Sequence, residues 1–242
     1  MLRLLDLTLR SPAENLALDE ALLLAHDRAL QSNLEPTECL RFWESSIHFV
    51  TLGVSAKLLE DVEVKACARD GVPILRRASG GGTVLEGPGS LNYTLVLSID
   101  QRSELRDVTR SYRIILGCVA RAIGVEGARQ HGTSDLALGG VKFSGNAQKR
   151  TRRAILHHGT LLWSFDLGLI PRYLREPEKQ PDYRARRPHS EFVRNLDLPV
   201  DELKRRIAAA WGAEAEAVTS PIPDLEALLS MKYQNRGWIE RF

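Results

Sequence analysis

Anion-binding chemistry is indicated by one segment, Arg76-Arg77-Ala78-Ser79-Gly80-Gly81-Gly82-Thr83-Val84. Three consecutive glycines carry no side chains, so this backbone can adopt positive φ and its N–H groups can approach a ligand closely. Backbone N–H groups, guanidinium groups and a hydroxyl are donors that bind a phosphate or a carboxylate. A hairpin tip with exposed arginines would share this composition, but the arginine pair and the flanking apolar runs favour an anion site.

Lys142 could supply a fixed positive charge. It lies in the segment Gly140-Val141-Lys142-Phe143-Ser144-Gly145-Asn146-Ala147-Gln148. The preceding Gly139-Gly140 turn between short apolar runs predicts a tight hairpin over residues 135–144. Alternation along the second strand places Val141 and Phe143 on one side and Lys142 on the other. The small residues that follow would let a ligand approach. A surface lysine that protects an edge strand fits equally well, and the hairpin alone does not separate the two interpretations.

Two adjacent histidines and one aspartate are the other candidates. His157 and His158 lie in a predicted strand, so at most one of them can face a given pocket. No ligand falls at zinc spacing around them, which argues against a zinc site. Asp135 is the carboxylate nearest to these motifs in the sequence, and Mg²⁺ favours one or two carboxylates together with phosphate oxygens. Asp135 is therefore a candidate magnesium ligand, with a strand-end residue as the plainer interpretation.

Several familiar sites are disfavoured by motifs that the sequence lacks. It contains neither a G-x-x-x-x-G-K-[ST] phosphate loop nor a G-x-G-x-x-G dinucleotide fingerprint before a helix. The G-x-S-x-G nucleophile elbow of serine hydrolases is also absent. A nucleotide would therefore be held by a different kind of loop.

Helix caps and apolar periodicity predict the elements that position these motifs. Ser11-Pro12-Ala13-Glu14 combines a capping box with an early proline, which predicts a helix from there to about Leu30. Gly124 is the expected stop of a second long helix over residues 104–123. The other predictions are strands at 40–43, 47–52, 72–75, 90–97 and 154–163, helices at 62–69, 200–211 and 223–231, and a long exposed loop at 171–188.

Composition and charge are those of an ordinary globular protein. The 242 residues are 43% hydrophobic and 26% charged, and the formal net charge of +2 is too small to indicate nucleic-acid binding. Basic residues cluster at 149–153 and at Arg184, Arg186 and Arg187. Such runs usually form solvated loops, although a docking face for an acidic macromolecule would show the same pattern. No linker or repeat divides the chain, so a single domain over residues 1–242 is expected.

The cysteines and apolar runs indicate a cytoplasmic protein. Cys39, Cys67 and Cys118 share no metal-ligand spacing, and their odd number indicates a reducing compartment. No run is long and apolar enough to span a bilayer, and the N-terminus lacks the continuous apolar core of a signal peptide. We therefore expect neither a membrane nor a nucleic acid as a partner.

Taken in order, the motifs resemble those of the lipoate–protein ligase family. The resemblance rests on the glycine and lysine segments and on further motifs that span nearly the whole chain. These are Asn15-Leu16-Ala17-Leu18-Asp19-Glu20, Arg41-Phe42-Trp43-Glu44, Leu52-Gly53, Gly89-Ser90-Leu91-Asn92-Tyr93, His157-His158-Gly159-Thr160-Leu161-Leu162 and Lys232-Tyr233-Gln234-Asn235-Arg236-Gly237-Trp238.

The resemblance implies the biotin/lipoate protein ligase catalytic fold, an α/β fold of the α+β type in which helices flank mixed, curved β-sheets. It implies that lipoate is activated with ATP and Mg²⁺ to lipoyl-AMP and then transferred to one lysine of a carrier domain. That carrier would be a glycine-cleavage H-like protein, an E2 subunit or a specialised carrier. The chain would be one catalytic domain without the C-terminal accessory domain of many family ligases, which some relatives supply as a separate protein.

The resemblance also implies roles for individual residues. Lys142 would contact the lipoyl carbonyl and the AMP phosphate as the catalytic residue. Asp135 falls where the family carries an Asn-Asp pair and would be the magnesium ligand, although Ser134 stands in place of the asparagine. The implied substrate- and nucleotide-binding residues are Arg77, Ser79, Gly80, Gly81, Gly82, Thr83, Val84, Asn92, Asp135, Ser144, Gly145, Ala147, His158, Gly159 and Thr160.

Other activities remain as alternatives. Related octanoyl and lipoyl transferases use a cysteine near the lysine hairpin, whereas Gly132, Thr133 and Ser134 precede Asp135 here, so a thioester mechanism is disfavoured. A ligase that needs a separate accessory protein, a biotin ligase and a non-catalytic lipoyl-binding module are the further alternatives. The sequence does not decide between lipoate and octanoate.

Overall fold

The computed structural model describes residues 2–32, 34, 36–215 and 224–242. The α-helices among these residues are α1 (Pro12–Gln31), α2 (Leu58–Asp61), α3 (Val64–Asp70), α4 (Val108–Ile123), α5 (Ile170–Tyr173), α6 (His189–Phe192), α7 (Val200–Trp211), α8 (Leu225–Leu228) and α9 (Arg236–Ile239). The strands are β1 (Leu2–Asp6), β2 (Cys39–Trp43), β3 (Phe49–Leu52), β4 (Ile74–Arg76), β5 (Val84–Glu86), β6 (Ser90–Ser98), β7 (Arg129–His131), β8 (Asp135–Leu138), β9 (Val141–Arg150), β10 (Ala154–Leu162) and β11 (Ala213–Ala215).

The described strands form one large and one small sheet. The large sheet has eight strands in the order β11-β1-β2-β6-β10-β9-β8-β7, and the small sheet has three in the order β4-β3-β5. Strand β1 runs parallel to both of its neighbours, while β2, β6, β10, β9, β8 and β7 pair antiparallel in turn. The fold is therefore mixed α/β.

Helices cover both faces of the large sheet. On one face, Leu95 and Leu97 of β6 belong to the largest hydrophobic cluster, together with Ile115 of α4 and Ile207 of α7. On the other face, Val96 and Leu156 pack with Leu23 of α1. Because side chains alternate along a strand, one strand supplies both layers, and the site described below lies on the α1 face.

The two long helices start and stop through caps. Ser11 caps α1: its hydroxyl accepts from the Glu14 N–H, and the Glu14 carboxylate accepts from the Ser11 N–H at 2.7 Å. The predicted capping box is confirmed. Gly124 ends α4 with φ of 70°, also as predicted. The predicted start of α4 is wrong, because Asp107 caps the helix and residues 103–105 form a separate 3₁₀ turn.

The prediction of a long exposed loop at 171–188 is wrong in part. Helix α5 runs into it, since Pro171 occupies an early helical position where no N–H is needed, and a 3₁₀ turn follows at Asp182–Arg184. The Arg184 side chain is buried against the ring of Phe192 and pairs with Glu176. Long arginine side chains cover apolar surface in this way, which composition does not reveal.

Other predictions differ in detail. Strand β5 directly after the glycine triplet was not predicted, because its three residues are too short for a periodic pattern. The helix predicted at 223–231 appears as α8 followed by a π-helical turn at Leu229–Tyr233, and Pro223 lies outside the described residues. Within the described part of the chain, no helix combines the length and apolarity needed to cross a membrane.

Candidate functional site

The glycine triplet, residues 80–82, lies between β4 and β5 and faces the large sheet. The Ser79 hydroxyl is 2.6 Å from His158 Nε2 on β10, and a Cβ added to Gly81 would lie 3.8 Å from the Cβ of Ala147 on β9. The smaller sheet thus brings the glycine segment against the centre of the larger one. Around Gly80 and Gly82, no heavy atom of the described residues would contact an added Cβ, so that part of the chain leaves the loop open there.

Arg77 holds the loop from beneath. Its Nη2 donates to the carbonyls of Gly80 at 2.7 Å and Gly82 at 2.8 Å, and its Nε donates to the Ser79 hydroxyl at 3.0 Å. Arg76 and Arg77 are only 0% and 7% exposed, so the interpretation of exposed arginines at a hairpin tip is wrong. Burial lowers the pKa of Arg77 to about 10, which leaves the guanidinium charged at neutral pH.

Lys142 reaches the loop side of the sheet because of a bulge in β9. Leu136 of β8 pairs with Ser144, but the next residue, Ala137, pairs with Lys142, so Phe143 is extra. Phe143 packs in the α4-side core, while the Lys142 ammonium lies over Gly145, where an added Cβ would be 2.9 Å from Nζ. Phe143 and Lys142 point in opposite directions, as strand alternation predicts, and the bulge decides that Lys142 is the one that faces the loop.

Asp135 is paired with Lys142 and with a tyrosine from a later segment. Its Oδ1 is 2.8 Å from Lys142 Nζ, and its Oδ2 accepts from the Tyr183 hydroxyl at 2.7 Å. No group of three or more His, Cys, Asp or Glu side chains that could hold a metal ion occurs in the described residues. One carboxylate beside a lysine fits Mg²⁺ only if nucleotide phosphates supply further ligands.

The two histidines point to opposite faces, as the strand alternation predicts. His157 faces α4, where its Nδ1 is 3.1 Å from Gln148 Nε2 and its ring meets Tyr112 edge-on. Burial lowers the pKa of His157 to about 3, so this ring is neutral and structural. His158 faces the loop and Ser79.

Two buried carboxylates, Asp19 and Glu86, lie at the site in addition to Asp135, and the sequence motifs do not predict either as a site residue. Asp19 of α1 binds Arg41 Nη1 at 2.6 Å and the Thr94 hydroxyl at 2.9 Å, and its Oδ2 is 3.8 Å from His158 Nδ1. Burial acts to raise the pKa of Asp19, but Arg41 and His158 outweigh it, so the pKa is lowered. Asp19 could have been recognised from the sequence, because it is a carboxylate on the buried stripe of α1.

Glu86 ends β5 beneath the loop. It is buried beside Thr51, Arg77 and Asn92, and burial raises the pKa of its carboxyl to about 7. No sequence motif predicts Glu86 as a site residue, because its neighbours come from three other strands or loops.

The predicted binding residues divide by face. Register and contacts place Arg77, Ser79, residues 80–82, Asn92, Asp135, Lys142, Gly145, Ala147, His158 and Thr160 together on the loop side. Gly159 and Ser144 lie on the α4 side, where an added Cβ at Gly159 would overlap the Asn146 side chain and the Ser144 hydroxyl is 3.1 Å from Asn146 Nδ2. The Thr83 hydroxyl donates to Asp61 of α2, and Val84 lies in β5.

Comparison with known proteins gives consistent matches. The family model described as the lipoyl protein ligase A/B catalytic domain matches residues 11–212. The octanoyltransferase LipM of Carboxydothermus hydrogenoformans is 30% identical over 99% of this chain and 98% of its own length.

Two solved structures share the fold. A bi-partite lipoate protein ligase from Thermoplasma acidophilum, studied with its E2 lipoyl domain, has a TM-score of 0.81 at 23% identity, covering 99% of this chain and 96% of that one. A lipoate-protein ligase A bound with ATP also has a TM-score of 0.81 at 23% identity, covering 99% and 98%. The fold expected from the resemblance is confirmed.

Proposed function

The chain belongs to the lipoyl protein ligase A/B catalytic-domain family, and we propose that it is an ATP-dependent ligase. In this proposal it activates lipoate to lipoyl-AMP and transfers the lipoyl group to a lysine of a carrier domain. The protonation of the cysteine thiols is the observation that supports a ligase over a transferase. A transferase that works through a thioester needs a thiolate.

None of the three cysteines is suited to be that nucleophile. Burial raises the pKa of Cys39 to about 12, and burial also raises the pKa of Cys67 and of Cys118. Cys118 is half-buried in α4, with its sulfur 3.9 Å from the carbonyl of Ala210 in α7, on the face away from the glycine loop. Each thiol is therefore protonated at neutral pH and inert.

Lys142 provides the charge that acyl activation needs. When the lipoate carboxylate attacks the α-phosphate, an O–P bond forms, pyrophosphate leaves, and negative charge builds at the phosphate. The Lys142 ammonium and the open N–H groups of the loop would stabilise that charge. The carrier lysine then attacks the acyl carbonyl, and AMP leaves. Mg²⁺ would neutralise the phosphates, with Asp135 as its protein ligand.

The carrier and any accessory chain belong to the proposal as well. A glycine-cleavage H-like protein, an E2 subunit and a specialised carrier each present a lysine of the required kind. The similar protein from Thermoplasma acidophilum is a bi-partite lipoate protein ligase, and its structure was studied together with its E2 lipoyl domain. By analogy, we propose a lipoyl carrier domain as the partner of this chain and a separate accessory protein as an aid to full activity.

An octanoyl or lipoyl transferase is the second candidate, and the likeness to LipM favours it. The two candidates differ in their acyl donor. A ligase consumes ATP and a free acid, whereas a transferase takes the acyl group from another carrier without ATP.

The deciding experiment mixes purified protein with lipoate, Mg·ATP and each carrier type, and measures AMP release and carrier mass. We expect ATP-dependent acylation that Lys142→Ala lowers by at least about 10²-fold, the order lost when one preorganised donor is removed. Lys149→Ala, on the same strand, is the matched control and should retain activity. Acylation from an octanoyl carrier without ATP would assign the transferase instead, and full activity of Lys142→Ala would refute the role of Lys142.

A further inference from the structure

A cavity of about 480 Å³ lies at the far end of the β9–β10 hairpin, away from the glycine loop. The charged residues of its lining are Asp100, Arg106, Arg150, Arg152 and Arg153. Arg150 is the last residue of β9, whereas Lys142 is near its start. Since a strand rises about 3.3 Å per residue, about 25 Å separates the two residues. The cavity, which we call the arginine cavity, is therefore distinct from the site at the glycine loop.

The arginine cavity has an excess of positive charge. Its four arginines are accompanied by one carboxylate, Asp100, so these lining residues carry a formal charge of +3. Arg153 Nε is 3.7 Å from Asp100 Oδ2, and the two side chains are 41% and 46% exposed. An ion pair that is so open to solvent contributes little. Most of the positive charge therefore remains available to an anion from solution.

Arg150 is held in place by uncharged acceptors. Its Nη1 donates to the Ser111 hydroxyl at 3.2 Å and to Gln148 Oε1 at 3.0 Å. Its Nη2 donates to the carbonyls of Leu105 at 2.7 Å and Arg106 at 3.0 Å. These four hydrogen bonds fix the guanidinium without neutralising its charge, so the charge is in position before any ligand arrives.

The other three arginines combine one fixed group with two free ones. Arg153 Nη1 donates to the Leu30 carbonyl at 2.6 Å, which anchors this guanidinium to the end of α1. Within the residues that the structure describes, the side chains of Arg106 and Arg152 make no hydrogen bond or ion pair, and both residues are exposed. The cavity thus joins two anchored guanidiniums to two that can close on a ligand.

The lining indicates which class of anion would bind. A guanidinium binds phosphate oxygens through two parallel hydrogen bonds, so several guanidiniums together suit several linked phosphates. Among the described residues of the lining, none is aromatic, and the apolar one, Ile99, is only 6% exposed. A nucleobase or an acyl chain would therefore find no surface to pack against. A concave wall with fixed charges also favours a compact, highly charged anion over an extended acidic protein segment.

We propose that the arginine cavity is a binding site for inorganic oligophosphates, such as pyrophosphate and triphosphate. The proposal goes beyond the proposed function and does not depend on it, because the cavity lies about 25 Å from Lys142. The fixed groups of Arg150 and Arg153 set the position of the anion, and Arg106 and Arg152 supply further donors once it is bound.

Calorimetric titration of the protein with pyrophosphate and with triphosphate, at about 0.15 M salt and without Mg²⁺, tests the proposal. We expect Arg106→Ala and Arg152→Ala each to weaken binding by at least about fivefold, since each removes a charge-assisted hydrogen bond. Arg121→Ala is the matched control, because it removes an exposed arginine in the last turn of α4, about 20 Å from the start of that helix. Binding by the control should equal that of the wild type.

Lys142→Ala separates this site from the proposed catalytic one. We expect it to bind pyrophosphate as the wild type does. Binding that is lost in Lys142→Ala but kept in Arg106→Ala and Arg152→Ala would place the anion at the glycine loop and overturn the proposal. Melting curves check that every variant folds.

Two further outcomes would also overturn the proposal. One is the absence of measurable binding of both oligophosphates to the wild type. The other is binding of hexaglutamate, tested as a peptide probe, more tightly than either oligophosphate, with Arg152→Ala reducing it. That result would assign the cavity to an acidic protein segment instead.

Discussion

Arg77 is the residue on which the conformation of the glycine loop depends. Glycines impose no conformation of their own, so the loop needs an external tether. The planar guanidinium supplies it by donating to two loop carbonyls and to the Ser79 hydroxyl at once. The same side chain that the sequence indicated as an anion ligand thus acts by shaping the backbone.

Arg77→Lys should therefore impair the site although it keeps the charge. A lysine cannot reproduce the fork of donors, so the loop carbonyls lose partners. We expect a fall in kcat/KM of at least about tenfold, as for a small misplacement of groups in a site. Activity assays and thermal melts of this variant check the prediction. Arg69→Lys, an exposed substitution on α3, serves as the control, and equal activity of both variants would contradict the role of Arg77.

Glu86 should make stability depend on pH. Burial raises its pKa from 4.5 to about 7 in the folded protein. The folded state therefore binds the proton more tightly, so the stabilisation is complete below pH 4.5 and is lost as the pH rises through 7. The loss is on the order of 3 kcal/mol, at 1.36 kcal/mol for each pKa unit.

Glu86→Gln should remove this dependence. We expect urea unfolding to show that the wild type loses more stability between pH 5 and pH 8 than the variant does. His157 has a pKa lowered to about 3 and acts in the opposite direction below pH 6.5, but it is present in both proteins and cancels. Parallel pH curves for the two proteins would show that Glu86 is ionised throughout.

At the scale of elements, the site depends on how closely the small sheet and its loops approach one another. Gly53 follows β3, and an added Cβ there would overlap the carbonyl of Gly81. The next residue, Val54, donates its N–H to the Ser79 carbonyl at 2.8 Å, so a hydrogen bond also joins the end of β3 to the loop. The position of the glycine loop is therefore set from the end of β3.

Gly53→Ala should displace the loop, because backbone atoms cannot yield as a flexible side chain does. We expect kcat/KM to fall by more than about tenfold, together with a lower melting temperature. The matched control is Gly117→Ala in α4, where the added Cβ would meet only the end of the Arg121 side chain at 3.3 Å. Alanine favours a helix over glycine by about 0.8–1 kcal/mol, so the control should be neutral or stabilised. Full activity of Gly53→Ala would mean that the loop is positioned by other contacts.

For the whole molecule, local signals predicted most elements and only part of the site. The capping box of α1, the Gly124 stop and the Gly139-Gly140 turn depend on neighbours in sequence, so the sequence revealed them. Asp19 and Glu86 join the site through strands and helices far apart in the chain. No spacing rule indicates such contacts, because burial and partners are decided by tertiary packing.

The bulge at Phe143 makes the lysine hairpin intolerant of changes in length. Side chains alternate along a strand, so removing that one residue would swing the ammonium of Lys142 into the hydrocarbon layer beneath α4. Substitutions in the turn preserve the geometry, whereas a single-codon deletion inverts it. Among natural relatives, insertions and deletions between the turn and the bulge should therefore occur only in pairs of residues.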